Sequence, residues 1–242
     1  MSRCSTTTSV TKTAIQPDYD VRRSPRARRM RITVSSLGKV EVVVPKGVAA
    51  RHIEPFVDQH QQWIAQAVAR VASARSACGE MLSGIPEQIE LRALNECWPI
   101  EQRDGERSSA RELNGKLLLS GADEASCFAA LQRWNSRKAQ AHLLPWLAEV
   151  SREIDLPYSG VTIRGQKSRW GSCSSRGNIS LNRKLLFLPA ELVEYLFVHE
   201  LCHTVHANHS RHFWALVEEK MPDYRNREGS LRGAMCYVPH WA

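Results

Sequence analysis

The stretch Leu192-Val193-Glu194-Tyr195-Leu196-Phe197-Val198-His199-Glu200-Leu201-Cys202-His203 decides how this chain is read. It is almost uninterruptedly apolar up to His199, which predicts a helix buried in a globular protein, opened by Pro189 and running on to His206. Two histidines four residues apart on a helix stand one above the other and aim two imidazoles at one ion. Glu200, one residue beyond the first of them, falls at the flank of that ion, where it can take a proton from water without occupying a coordination position. Burying two His and a Glu in such a helix without partners would cost on the order of several kcal/mol, and a bound metal removes that objection. The reading is therefore a zinc hydrolase.

A catalytic zinc normally has three protein ligands and one open position. His206, His209 and His212 compete for the third place. His206 shares the helical face but lies seven residues from His199, about 10 Å along the axis at the helical rise. His209 follows Ala207-Asn208, where Asn can adopt the left-handed conformation that ends a helix and turns the chain back to the ion. His212 belongs to the next helix, capped by Ser210 and reaching Met221 before Pro222. The order of preference is His209, His212, His206.

Away from this helix the chain reads as α+β, with a strand-rich N-terminal part containing one helix. Met30–Val34 and Val40–Val44 alternate around Gly38 and predict a hairpin, and Ala49–Ala74 carries apolar residues at helical spacing. Strands follow at Gln88–Leu94, Trp98–Gln102 and Lys116–Leu119, with Asp104-Gly105 and Asn114-Gly115 as hairpin-type turns. A long helical block, Ala122–Ile154, contains Pro145, at which it is expected to bend. Strands at Val161–Arg164 and Asn178–Asn182 then precede the histidine helix, and the second offers an edge for an extended substrate. The expected organisation is a disordered tail at 1–18, an Arg-rich arm with a β-rich subdomain at 19–121, and a catalytic subdomain at 122–242.

Composition excludes several classes. With 242 residues, 43% hydrophobic and 24% charged, the chain is neither a rod nor wholly disordered. The greasiest run, Leu185–Val198, contains Glu191 and Glu194, so no membrane span is expected. Met1–Ile15 has no hydrophobic h-region, which points to the cytoplasm. Seven cysteines without a Cys-x-x-Cys pair suggest buried reduced thiols and neither a disulfide framework nor a zinc ribbon. Of the net charge of +8, +6 falls within residues 1–33, around Arg22, Arg23, Arg26, Arg28, Arg29 and Arg31. That arm is either a solvated tail or a contact for nucleic-acid phosphates.

The residues Ser168-Arg169-Trp170-Gly171-Ser172-Cys173-Ser174, Gly177-Asn178-Ile179-Ser180-Leu181-Asn182, Val198-His199-Glu200-Leu201-Cys202-His203, Asn208-His209-Ser210 with Phe213-Trp214, and Met221-Pro222-Asp223-Tyr224 resemble the YgjP-like zinc metallopeptidases, relatives of the SprT and WLM-type proteases. The resemblance is dense over 162–224 and looser over 28–121. It implies a zincin-like core with an active-site helix, Zn2+ held by His199, His203 and His209, and Glu200 as the catalytic acid/base. It also implies peptide-bond hydrolysis by a metal-activated water, with a protein or peptide as substrate. The ligand spacing fits the metzincin pattern too, but that pattern expects a Gly at the turn, where this chain has His206. The oxyanion has three candidate partners, Arg169, His212 and Tyr224. The competing class is a nucleic-acid-associated module with a structural or degenerate zinc site, for which the carboxylate of Glu200 would have no use.

Overall fold

The computed structural model describes residues 18–35, 37–77, 84–167 and 169–242, and the Ser/Thr-rich tail lies outside them except for Asp18. The described part is a mixed α+β structure with six α-helices and several sheets, divided into two compact units, residues 1–73 and 74–242.

In the first unit β1 (Tyr19–Ser24), β2 (Arg31–Val34) and β3 (Val40–Pro45) form a sheet in the order β1-β3-β2. The β2–β3 hairpin is the one its alternation predicts, closed at Gly38 with φ +77°. Val40, Val42 and Val44 project from one face of β3 into a small core with Ile53, Val57 and Ile64. Those last residues belong to two helices, α1 (Ile53–Gln59) and α2 (Gln61–Ala77), which interrupt at His60 where one continuous helix was expected. The Arg-rich arm differs more. Tyr19–Ser24 is a strand running parallel to β3, with Arg22 paired to Glu41 and Arg23 donating to the Val48 carbonyl. Its side chains are mostly exposed, so nothing in its hydropathy announces a strand; the main-chain ladder alone makes it one.

The second unit holds the larger core. β4 (Gln88–Leu91), β5 (Glu96–Gln102), β6 (Ser109–Leu113) and β7 (Lys116–Ser120) form a sheet in the order β4-β5-β7-β6. Asn114 and Gly115 both have positive φ, as a tight β6–β7 hairpin requires. The Asp104-Gly105 signal does not make a hairpin: β5 pairs with β7, in parallel, and not with β6. α3 (Glu124–Glu153) starts at a capping box, in which the Asp123 side chain accepts from the Ser126 amide and the Ser126 hydroxyl accepts from the Asp123 amide. It continues unbroken through Pro145, and lays Leu131, Trp134, Leu143 and Leu147 into the core.

A second sheet of this unit supports the histidines. β8 (Gly160–Arg164), β9 (Gly171–Cys173) and β10 (Asn178–Asn182) lie in the order β8-β10-β9. β10 is therefore paired on both sides and offers no edge; the edges of this sheet are β8 and β9. After a 3-10 turn at Arg183–Phe187 come α4 (Ala190–Cys202), α5 (Arg211–Lys220) and α6 (Tyr224–Gly233). Val193, Phe197, Leu201 and Cys202 of α4 are fully buried, the helix being apolar nearly all round because core surrounds it. Among the described residues no helix is long and apolar enough to cross a membrane, and Cys97, Cys127, Cys173 and Cys202 are free thiols.

Candidate metal centre and active-site cleft

α4 stops at Cys202, four residues short of His206. The Thr204 hydroxyl donates to the Leu201 carbonyl at 2.7 Å, and the main chain tightens to three-residue spacing, Thr204 N–H bonding Leu201 O and Val205 N–H bonding Cys202 O. A threonine that takes a carbonyl of the preceding turn competes with the helical ladder, which is why the helix closes here. Asn208 is not in the left-handed region, so the return of the chain rests on this threonine-led turn and not on an asparagine. Ser210 then caps α5, its hydroxyl accepting from the Phe213 amide.

The turn carries His209 back over the end of α4. One ligand atom from each of His199, His203 and His209 lies within 4.8 Å of the other two, and the Nε2 atoms of His199 and His209 are 3.1 Å apart. Phe213, fully buried, forms the floor beneath all three rings, with centroids 4.4 to 5.0 Å away. Orientation comes from partners behind the rings. His203 Nδ1 donates to the His206 carbonyl at 2.9 Å; a carbonyl only accepts, so this fixes the tautomer and leaves Nε2 with its lone pair. The Tyr195 hydroxyl stands 3.5 Å from His199 Nδ1, one helical turn earlier. Burial, and after it the adjoining His203 and His209 rings, lowers the His199 imidazole to about 3, so it is neutral at physiological pH; burial lowers His203 as well. Three imidazoles converging on one point are the donor set that suits zinc, which takes nitrogen at about 2.0–2.1 Å. No fourth His, Cys, Asp or Glu joins the cluster among the described residues.

Glu200 lies beside them, 4% exposed, and its Oε2 is buried without a hydrogen-bond partner. Burial raises the carboxyl to about 7, against a smaller opposing pull from the charge of Arg169. Space for it is made by Gly171 on β9: a methyl there would stand 2.6 Å from Glu200 Oε1 and 3.0 Å from its Cδ. Only a glycine lets the strand pass this close to the carboxylate. An open cleft of about 500 Å³ leads to the site, with Arg169, Trp170, Leu196, Trp214, Leu231 and Met235 on its walls.

The structure thus gathers His199, Glu200, His203 and His209, and leaves two of the histidines weighed for the third place outside. The His206 and His212 rings face each other at 6.1 Å, and His206 serves through its main-chain carbonyl. Of the oxyanion candidates Arg169 lines the cleft, whereas Tyr224 is buried and stacked on Trp214. Sequence reasoning passed over Tyr195, although its spacing of four from His199 on an apolar helix was a usable signal. It also gave Gly171 no role, and nothing local marks that residue as the neighbour of Glu200.

The YgjP-like metallopeptidase family model matches residues 28–234, and the chain belongs to that family. Among solved structures it is similar to the metallopeptidase zymogen of Pyrococcus abyssi abylysin, 27% identical over 35% of this chain and 87% of that one, with a TM-score of 0.32. It is also similar to the metallopeptidase zymogen of Methanocaldococcus jannaschii jannalysin, 20% identical over 36% of this chain and 89% of that one, with a TM-score of 0.32. A comparison with curated proteins finds no match.

Proposed function

We propose that this metallopeptidase hydrolyses peptide bonds with zinc held by His199, His203 and His209 and with Glu200 as general base. The observation that carries the reading is a buried carboxylate, with Oε2 lacking a hydrogen-bond partner, set beside three imidazoles whose cluster has no fourth protein ligand among the described residues. When bound, zinc supplies Lewis acidity toward the scissile carbonyl and lowers the pKa of an attacking water. Glu200 accepts that water's proton and passes it to the leaving amine, and a neighbouring dication would favour its ionised form against the effect of burial. Arg169, on the cleft wall, supplies positive charge near the developing oxyanion. The edge of β9 turned away from β10 is where an extended protein or peptide substrate would align. We assign this chemistry to a subdomain at 122–242, preceded by the β-rich part at 19–121.

A structural or degenerate zinc site would be expected to close around four ligands and to have no use for Glu200. Glu200→Gln separates the two readings. The amide fills the same space and keeps the metal but cannot take a proton, so hydrolysis of an unfolded protein substrate should fall by about 10²–10⁴-fold at unchanged zinc content. Turnover equal to that of the unmodified protein would falsify the mechanism.

A further inference from the structure

From Leu156 to Ala190 the chain contains six Arg or Lys and not one Asp or Glu. The positive charge is therefore not confined to the N-terminal arm: this second stretch carries +6 as well. One of the six, Arg176, sits at the turn that leads into β10. The other five gather at the far end of that strand. Arg164 is the register partner of Asn182 across β8 and β10. The Asn182 amide nitrogen donates to the carbonyls of Gln166 at 2.8 Å and Arg169 at 2.9 Å, strapping the loop that carries Lys167 and Arg169 to the strand end. Arg183 and Lys184 follow at once, and the Arg183 guanidinium lies so flat on Gly165 that a methyl there would come within 2.8 Å of its Cζ.

Apart from Arg169, whose charge acts on Glu200, these cations find no anion among the described residues. Elsewhere in this unit basic groups meet acids, as in Arg92–Glu90, Lys138–Glu96 and Arg227–Asp223. Arg164, Lys167, Arg169, Arg183 and Lys184 form no ion pair among the described residues, and Arg183 Nε is buried without an acceptor. Lys184 is held below the usual lysine range by burial first and then by the positive charges of Arg183, Arg75 and Lys167. Half-burying two cations beside three others is unfavourable unless something outside the chain neutralises them.

We infer that the surface formed by Arg164, Lys167, Arg183 and Lys184, reaching the cleft at Arg169, binds the phosphodiester backbone of a nucleic acid. Four uncompensated charges, continued by Arg169 at the cleft, call for a partner with several anions at short, regular spacing, which a nucleic acid has and an ordinary peptide lacks. Guanidinium groups favour phosphate through paired N–H donors. A membrane surface fits less well, since the exposed large apolar side chains, Val21, Leu37, Trp63, Leu113 and Val205, all lie outside this stretch.

The test uses the full chain carrying Glu200→Gln, so that binding is read whether or not the protein hydrolyses peptides. A labelled 20-nucleotide single strand is titrated at 50 to 200 mM salt. The two exposed positions are changed together, Arg164→Gln with Lys167→Gln, which leaves the core untouched. Arg183→Gln with Lys184→Gln is the second variant, used with a melting curve as a folding control. Losing two phosphate contacts should lower the slope of log K against log salt by about 1.4 and weaken binding at low salt. No binding at 50 mM salt by the unmodified surface overturns the inference. So does loss of binding on replacing Arg22, Arg26, Arg28 and Arg29 while both surface variants bind normally. Competition by polyglutamate as effective as that by the oligonucleotide would make the surface a site for acidic protein chains instead.

Discussion

The segments His199–His212 and Arg22–Arg31 are both conspicuous for crowding like residues together, and the structure treats them in opposite ways. In the first, the Glu200 carboxylate is buried and the His199 and His203 rings are partly buried, with the exposed His209 turned back onto them, which leaves a buried Glu200 Oε2 without a partner and three ligand nitrogens within 4.8 Å of one another. In the second, the side chains stay in water, and the two that make contacts, Arg22 and Arg23, bind a glutamate and a carbonyl of their own neighbourhood. Crowding is thus a poor guide by itself. Unmet valence after burial is the better one, because the desolvation cost of a buried polar group must be returned by something not yet present.

The contrast breaks most visibly if the ligand cluster is opened. His209→Ala removes one of three nitrogens and leaves two imidazoles from a single helical turn. Changing partners behind a ligand already costs about 10–100-fold in metal affinity, so loss of the ligand itself should exceed about 100-fold. Zinc retained after dialysis against a weak chelator is the readout. His206→Ala serves as its control and should retain zinc almost fully, because the contact that orients His203 comes from a main-chain carbonyl which the substitution preserves. Metal loss in the control with His209→Ala fully loaded would reverse the assignment.

A smaller effect is expected from Gly171→Ala, which touches no ligand. Its methyl would press on Glu200 Oε1, and crowding of this kind costs about 1–3 kcal/mol of stability unless the carboxylate moves. Displacement of a catalytic group by about 1 Å costs about 10²-fold in rate. Zinc content should therefore hold while hydrolysis falls, a split that a destabilised fold would not produce. An active Gly171→Ala protein would mean that the carboxylate is not confined as the close strand suggests.

How far the site was legible in the sequence follows from the range of its interactions. His199, Glu200 and His203 share one helical turn, and periodicity in an apolar run places them without knowledge of the rest. His209 is reached by a turn whose length could be counted but whose cause could not, since a Thr204 hydroxyl competing with the ladder leaves no hydrophobic pattern. Gly171 meets Glu200 only through the packing of β9 against α4, about thirty positions apart in the chain, and such pairings are invisible to local spacing. The same limit explains β1, a polar strand made by its neighbour β3, and the misread Asp104-Gly105, a turn signal between strands that do not pair. The acid-free stretch from 156 to 190 was countable from the start. It was hidden because the charge outside the arm nearly cancels when summed over the remaining residues.

The smallest effect should come from the arm, and it sharpens the contrast from the other side. Arg22 Nε lies 2.9 Å from Glu41 Oε1, with side-chain exposures of 50% and 36%. The contact raises the pKa of Arg22 and lowers that of Glu41, mainly through the hydrogen bond they share. Both groups stand in water, where salt screens the attraction and ordering two long side chains offsets most of the gain. Arg22→Gln leaves the six-residue register of β1 on β3 intact, because that register is held by main-chain bonds. Zinc content and hydrolysis should match the unmodified protein, and any difference in melting temperature at low salt should disappear at 0.5 M salt, beyond the reach of the screened pair. A drop of more than about 4 °C that persists at high salt would mean that the side chain, and not the ladder, holds β1 in place, and the arm would then rank with the histidine segment as a structure built by its side chains.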